Sequence, residues 1–226
     1  MNKLVLFDID KTLVKKSTGH KAAFSIAFKN VYGIDTNIDI IQHSGMTDQQ
    51  IIYDVLRLNG LDDEKIKSKL DLCIKTMVDV FKNSSKDNNV ILLDGVLELL
   101  TKLEKNDVLM GLVTGNLEPI GRGKMKIANL NHFFKIGGFG NENISRTELV
   151  KIAIKKAQFN FDFIFSDNVF LFGDTPQDMN AGKEAGIISV GVTTGIYSKQ
   201  QLENAGASIV LNNLVNTKEI LEIILK

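Results

Sequence analysis

The chain opens on Leu4-Val5-Leu6-Phe7, an apolar run that breaks off at Asp8. Apolar positions without polar alternation mark a strand buried on both faces, as in a parallel sheet. From about residue 15 to residue 89 strand signals fade and helical periodicity replaces them. Ala23, Ala27 and Val31 share a face over 20–32, and Gly33 ends that helix. A second helix is expected from Thr47, its N-cap, to Asn59-Gly60. A third spans 62–81, with Ile66, Leu70, Cys73 or Ile74, Met77 and Phe81 along its apolar face. The polar, turn-rich stretch 84–89 is the expected hinge.

Beyond the hinge, strands and helices alternate. Helices are expected over 95–105, 117–129, 145–157 and 176–185, near Leu202 and from about Leu214. Strands fall at Val108, over 133–137, at Val169, over 187–192 and near Val210. Such alternation predicts an α/β fold, a doubly wound parallel sheet with helices on both faces. The expected organisation is a Rossmann-like core of residues 1–14 and 90–226, with residues 15–89 inserted as an α-helical cap. An insertion leaving just after the first strand and returning before the next would sit over the carboxyl ends of the strands, as a lid.

Those strand ends carry the candidate chemistry. The first closes on Asp8-Ile9-Asp10, and an isolated pair of this kind is as well explained by an acidic turn. A second run, Val169-Phe170-Leu171-Phe172-Gly173, closes on Asp174; Pro176 suits the first turn of a helix, so Asp174 and Asp178 would flank the turn between strand and helix. Between them a strand closes on Thr114-Gly115-Asn116, a hydroxyl beside a glycine whose N–H can approach a ligand closely. Three strands delivering Asp, Thr and Asp to one rim are hard to explain as packing. Gly137-Gly138-Phe139-Gly140 opens no helix directly and reads as a loop at the sheet rim, not a dinucleotide site.

Composition narrows the classes. Of 226 residues, 44% are apolar, ample for a core, and 27 acids balance 27 bases, which gives no reason to expect a nucleic-acid binder. The single cysteine, Cys73, can form no internal disulfide, lies in a helical apolar pattern and reads as core. No apolar stretch reaches membrane-spanning length, so the expected location is cytoplasmic.

With these residues in view, the chain resembles the haloacid dehalogenase superfamily of aspartate-nucleophile hydrolases, and within it the phosphoglycolate-phosphatase-like branch with a small helical cap. The motifs are Asp8-Ile9-Asp10-Lys11-Thr12-Leu13, Thr114, and Gly173-Asp174-Thr175-Pro176-Gln177-Asp178. The family's third motif, a cation, falls on Arg146 at the start of a helix, in preference to Lys124, which reads as part of a solvated helical face with Arg122 and Lys126. Two departures stand out: Arg146 lacks the usual following Pro, and Lys11 replaces the usual Gly. Lys11 is expected to take ordinary backbone angles; its ammonium either helps bind an anionic substrate or, the preferred reading, points to solvent.

The resemblance implies a Mg²⁺-dependent phosphatase acting on a small phosphorylated metabolite, phosphoglycolate-like or a sugar phosphate. Asp8 would be the nucleophile and Asp10, protonated first, the acid and then the base. Asp8, Asp174, the Asp10 carbonyl and Asp178 would serve the metal, Asp178 through metal waters or by orienting Arg146. Thr114, Gly115, Asn116 and Arg146 would hold the phosphoryl group. His43, in the loop 43–47, would reach the site from the cap, with His20 a second candidate. The implied protein is a monomer or weak homodimer with no nucleic-acid or membrane partner. The alternatives are a sugar-phosphate mutase and a non-catalytic phospholigand-binding module.

Overall fold

The computed structural model describes residues 3–84 and 89–226. In chain order its first part contains β1 (Leu4–Phe7), β2 (Val14–Ser17), α1 (His20–Ala27), α2 (Asp48–Leu58), α3 (Asp63–Ser68) and α4 (Leu70–Asn83). β3 (Val90–Leu92), α5 (Val96–Lys105), β4 (Leu109–Thr114), α6 (Glu118–Ile127), β5 (Ile136–Phe139) and α7 (Arg146–Phe161) follow. The chain closes with β6 (Val169–Gly173), α8 (Pro176–Glu184), β7 (Ile188–Val192), α9 (Lys199–Asn204), β8 (Ile209–Leu211) and α10 (Thr217–Leu225).

Among the described residues, six strands form one parallel sheet in the order β5-β4-β1-β6-β7-β8. β1 is central because all four of its residues are apolar and can be buried on both faces. Val5 and Phe7 point to the side covered by α5 and α10, where Leu99, Leu103, Ile220 and Ile224 meet Leu112 and Phe172. Leu4 and Leu6 point to the opposite side, against Leu149 and Ala153 of α7 and Ala181 of α8. The chain builds β4 and β5 on one flank of β1, then crosses to build β6, β7 and β8 on the other. The carboxyl end of β1 therefore opens at the point where strand order reverses, which is where such sheets leave a crevice. Register aligns the three strand ends: Phe7 lies beside both Leu112 and Phe172.

A third apolar cluster lies over that end of the sheet. Phe24, Phe28, Ile52, Val55, Met77 and Phe81 from the 20–83 helices pack with Leu117 and Ile120 around α6. Cys73 is buried in this cluster, and burial pushes its thiol up to about 12, so it acts as packing. Where the chain enters and leaves this region, β2 and β3 pair antiparallel. Nothing in the sequence pattern announces that pair, because its strands are short and β2 is mostly polar.

Several elements differ from expectation. The 62–81 helix is two helices, broken at Lys69 (φ −123°, ψ 8°). The carbonyl of Ile66 turns away to accept from the Tyr32 hydroxyl at 2.8 Å and the Lys69 N–H at 3.2 Å, so a tertiary contact replaces the helical ladder. The 20–32 helix widens into a π turn over Phe28–Tyr32 that buries both Phe28 and Val31. The strand expected over 133–137 instead covers 136–139, which puts Gly138 inside β5 and not in a rim loop. A Cβ at Gly138 would lie 2.0 Å from the Leu149 carbonyl, so glycine here lets α7 seat against the sheet. Of the expected hinge 84–89, residues 85–88 lie outside the described residues.

Candidate active site

At the rim, Asp8 follows β1 with its N–H donated to the Phe172 carbonyl (2.9 Å), so the sheet itself aims the carboxylate. Asp174 follows β6. Asp178 sits on the first turn of α8, in a capping box with Thr175, whose hydroxyl donates to it at 2.6 Å. One oxygen from each of Asp8, Asp174 and Asp178 falls within a 4.8 Å cluster, and all three residues are buried. Arg146, the first residue of α7, bridges two of them: Nη2 donates to Asp8 Oδ1 at 2.8 Å and Nε to Asp178 Oδ1 at 2.8 Å. The helix start is fixed by Ser145, whose hydroxyl accepts the Glu148 N–H.

Three carboxylates on one guanidinium are under-compensated. Burial pushes Asp8 up to about 7, with Arg146 pulling the other way and Asp178 and Asp10 adding repulsion. Burial and then repulsion from Asp8 and Asp178 push Asp174 up to about 8, against the pull of Arg146. An all-oxygen, buried, electron-rich cluster of this kind fits a hard divalent cation such as Mg²⁺. The loop after β7 presses close to it: a Cβ at Gly195 would stand 1.9 Å from Asp174 Oδ2.

Asp10 does not join this cluster. Its carboxylate turns to Lys124, whose ammonium donates to Oδ1 at 2.8 Å and Oδ2 at 2.6 Å. Burial would raise the Asp10 pKa, but Lys124 and His20, with hydrogen bonds from Lys124 and Asn116, lower it to about 2. Lys124 is therefore not on a solvated face. It is 1% exposed, and its ammonium also reaches Asn116 Oδ1 (2.6 Å) and His20 Nδ1 (3.2 Å). The signal was present in the sequence: Ile120, Gly121, Lys124 and Met125 make the buried stripe of α6, while Arg122 and Lys126 fall outside it.

Thr114, the last residue of β4, is fully buried, and its hydroxyl accepts from the Asn116 side chain at 2.8 Å. Gly115 and Asn116 form the wall above it. That wall meets the helical region directly. Asp48 donates its N–H to the Gly115 carbonyl (2.8 Å) and accepts the Leu117 N–H on Oδ2 (2.8 Å). Its carboxylate also pairs with His20 Nε2 at 3.1 Å. Asp48 was missed in the sequence because it reads as an ordinary acid in the first turn of α2. Gln49 and Gln177 extend the seam, reaching the Gly140 carbonyl (2.7 Å) and the Ser44 carbonyl (3.3 Å) respectively. A cavity of about 330 Å³ lies beneath, lined by Asp8, Asp10, Asn116, Arg146 and Asp174 on one side and His20 and His43 on the other. Lys11 also lines it, with a left-handed backbone (φ +67°) where ordinary angles were expected, and its ammonium donates to the Lys15 carbonyl at 2.9 Å.

The crevice at the switch point thus holds three clustered carboxylates and the arginine that bridges two of them. A sequence model of the haloacid dehalogenase-like hydrolases matches residues 5–192, and the chain belongs to that family. It is 22% identical over 215 residues to a phosphoglycolate phosphatase of Pseudomonas putida, covering 94% of this chain and 77% of that one. Among solved structures, a hydrolase from Pseudomonas syringae superposes with a TM-score of 0.72 at 22% identity, covering 99% of both chains. A candidate β-phosphoglucomutase from Bacteroides vulgatus gives 0.70 at 22% identity, covering 99% of this chain and 89% of that one.

Proposed function

We propose that this enzyme is a Mg²⁺-dependent phosphatase of small phosphorylated metabolites, working through an aspartyl-phosphate on Asp8, with residues 15–89 acting as its cap. The observation that carries the reading is the buried Asp8–Asp174–Asp178 cluster with Arg146 bridged across it. Asp8, Asp174 and Asp178 would hold the metal, which when bound screens anionic phosphate from an anionic nucleophile.

Asp8 attacks phosphorus as the bond to the leaving oxygen breaks, and Arg146 and the Gly115 N–H are the donors for charge building on the phosphoryl oxygens. Asp10 is a carboxylate when paired with Lys124, which fits the second half-reaction, in which it takes a proton from the water attacking the aspartyl-phosphate. For the first half it must carry a proton to the leaving alkoxide. Anionic substrate arriving beside it favours that protonated form. The seam between the 20–83 helices and Gly115 keeps water from the reacting group. The lone buried thiol of Cys73 fits a reducing compartment, and the proposed location is the cytoplasm.

A sugar-phosphate mutase is the second reading, favoured by the fold shared with the Bacteroides vulgatus protein. Phosphate release over a panel of phosphorylated metabolites, with and without Mg²⁺, separates the two. Stoichiometric phosphate that stops on chelation is expected, with Ca²⁺ a poor substitute because its longer, more numerous bonds loosen the in-line geometry. Isomerised sugar phosphate without free phosphate would overturn the hydrolase in favour of the mutase.

A further inference from the structure

Among the described residues, four that are not glycine have a left-handed backbone: Lys11, Asp107, Asn129 and Asp162. The last three are Asp or Asn, the side chains best suited to that region, and each lies just past a helix end. Lys11 is the exception in type and in place. Its backbone is pinned, the N–H to the Val14 carbonyl at 2.7 Å and the carbonyl to the Thr194 hydroxyl. A lysine held where glycine would sit without strain gives the fold only an exposed hydrogen bond to the Lys15 carbonyl, and its side chain lines the active-site cavity.

The charges around the cavity say what that side chain can do. Arg146 is engaged with Asp8 and Asp178, Lys124 with Asp10 and Lys21 with Asp39. Lys11 holds only a neutral carbonyl, that of Lys15, and Lys15 is an exposed cation on the same wall. Among the described residues no carboxylate lies within ion-pair distance of either. An anion arriving there would replace a neutral hydrogen bond with a charge-assisted one.

We propose that Lys11 and Lys15 form a subsite for a second anionic group of the substrate, a carboxylate or a second phosphate, so that the enzyme selects phosphomonoesters with an anionic tail. The proposal rests on the phosphatase reading for the reacting end, and binding measurements separate the two. Calorimetric titration of the 226-residue Asp8→Asn chain with matched pairs, 2-phosphoglycolate against ethyl phosphate and fructose 1,6-bisphosphate against fructose 6-phosphate, reads the subsite directly. At least one anionic member is expected to bind more tightly, and which one identifies the tail.

Adding Lys11→Gly should cut that preference by about tenfold, the scale of one charge-assisted contact, whereas Lys11→Arg should keep it. Lys11→Gly should also leave the melting temperature unchanged or raise it by about 2–4 °C, because it relieves the backbone. Lys11→Asn, also tolerant of this backbone, serves as a second variant. No preference in the parent protein, or a preference untouched by Lys11→Gly and Lys11→Asn, overturns the subsite. Phosphate release from the same compounds by the unaltered chain reports separately on the phosphatase: a tail preference in binding without any release sinks the hydrolase and leaves the subsite standing.

Discussion

Asp8 is aimed by the backbone and held by Arg146. Its N–H is spent on the Phe172 carbonyl and its Oδ1 accepts from Arg146 at 2.8 Å, so the carboxylate has little freedom to turn away. Asp8→Asn should therefore keep the fold and abolish phosphate release; a folded variant retaining more than a few per cent of the rate would remove the aspartyl-phosphate. Arg146→Ala should cost on the order of 10²-fold in turnover, the scale of a lost charged transition-state donor. Lys124 has moved from bystander to partner. Lys124→Met should lower stability by about 1 kcal/mol or less in urea unfolding, since the Asp10 carboxylate it unpairs is partly exposed and keeps its hydrogen bond from Asn116, and should slow turnover as well. Equal stability and rate in that variant would mean the Asp10–Lys124 pair has no role. Lys124 was legible at this scale only by weighing its position on the helix above its type.

At the scale of elements, the seam between the 20–83 helices and the sheet rests on glycine at the end of β4. A Cβ at Gly115 would stand 2.2 Å from the Met46 carbonyl and 2.9 Å from Thr47 Cα, both backbone atoms that cannot swing aside. Gly115→Ala should cost about 1–3 kcal/mol as overpacking, a fall of roughly 2–4 °C per kcal/mol in melting temperature. Turnover should fall further, because the displaced backbone also carries the Asp48 contact; an unshifted melt with full activity would show that the seam is loose in solution. Strong local signals made most elements readable: the apolar run of β1, Thr47 capping α2, Pro176 opening α8. The break at Lys69 was not, since it depends on Tyr32 reaching Ile66 from 34 residues away.

For the whole molecule, the acidic cluster couples folding to pH and metal. Asp8 and Asp174 rise from 3.8 to about 7 and about 8 on folding without metal. Between those limits the folded chain holds protons that the unfolded chain has released, so stability falls as pH rises through the window. Metal ligands must be deprotonated, so Mg²⁺ works against that loss. Melting curves of the chelated protein should therefore drop from about pH 5 to about pH 8, and the upward shift given by Mg²⁺ should be larger at the higher pH. A chelated protein that grows more stable over this range would contradict the stacked carboxylates.

The sequence by itself determined the layers, the parallel sheet and the rim that carries Asp8, Thr114 and Asp174, because periodicity and the polar ends of apolar runs are local properties. It also placed Arg146 among the candidates through the order of motifs. Tertiary structure alone decided the strand order, the β2–β3 pair, the side chains facing the cavity and the partner of each charge. The Asp10–Lys124–His20–Asp48 chain joins residues from four separate stretches, and Lys11 owes its strained backbone to contacts with Val14 and Thr194. Pairings of that kind are set by how whole elements pack, which no window of sequence contains.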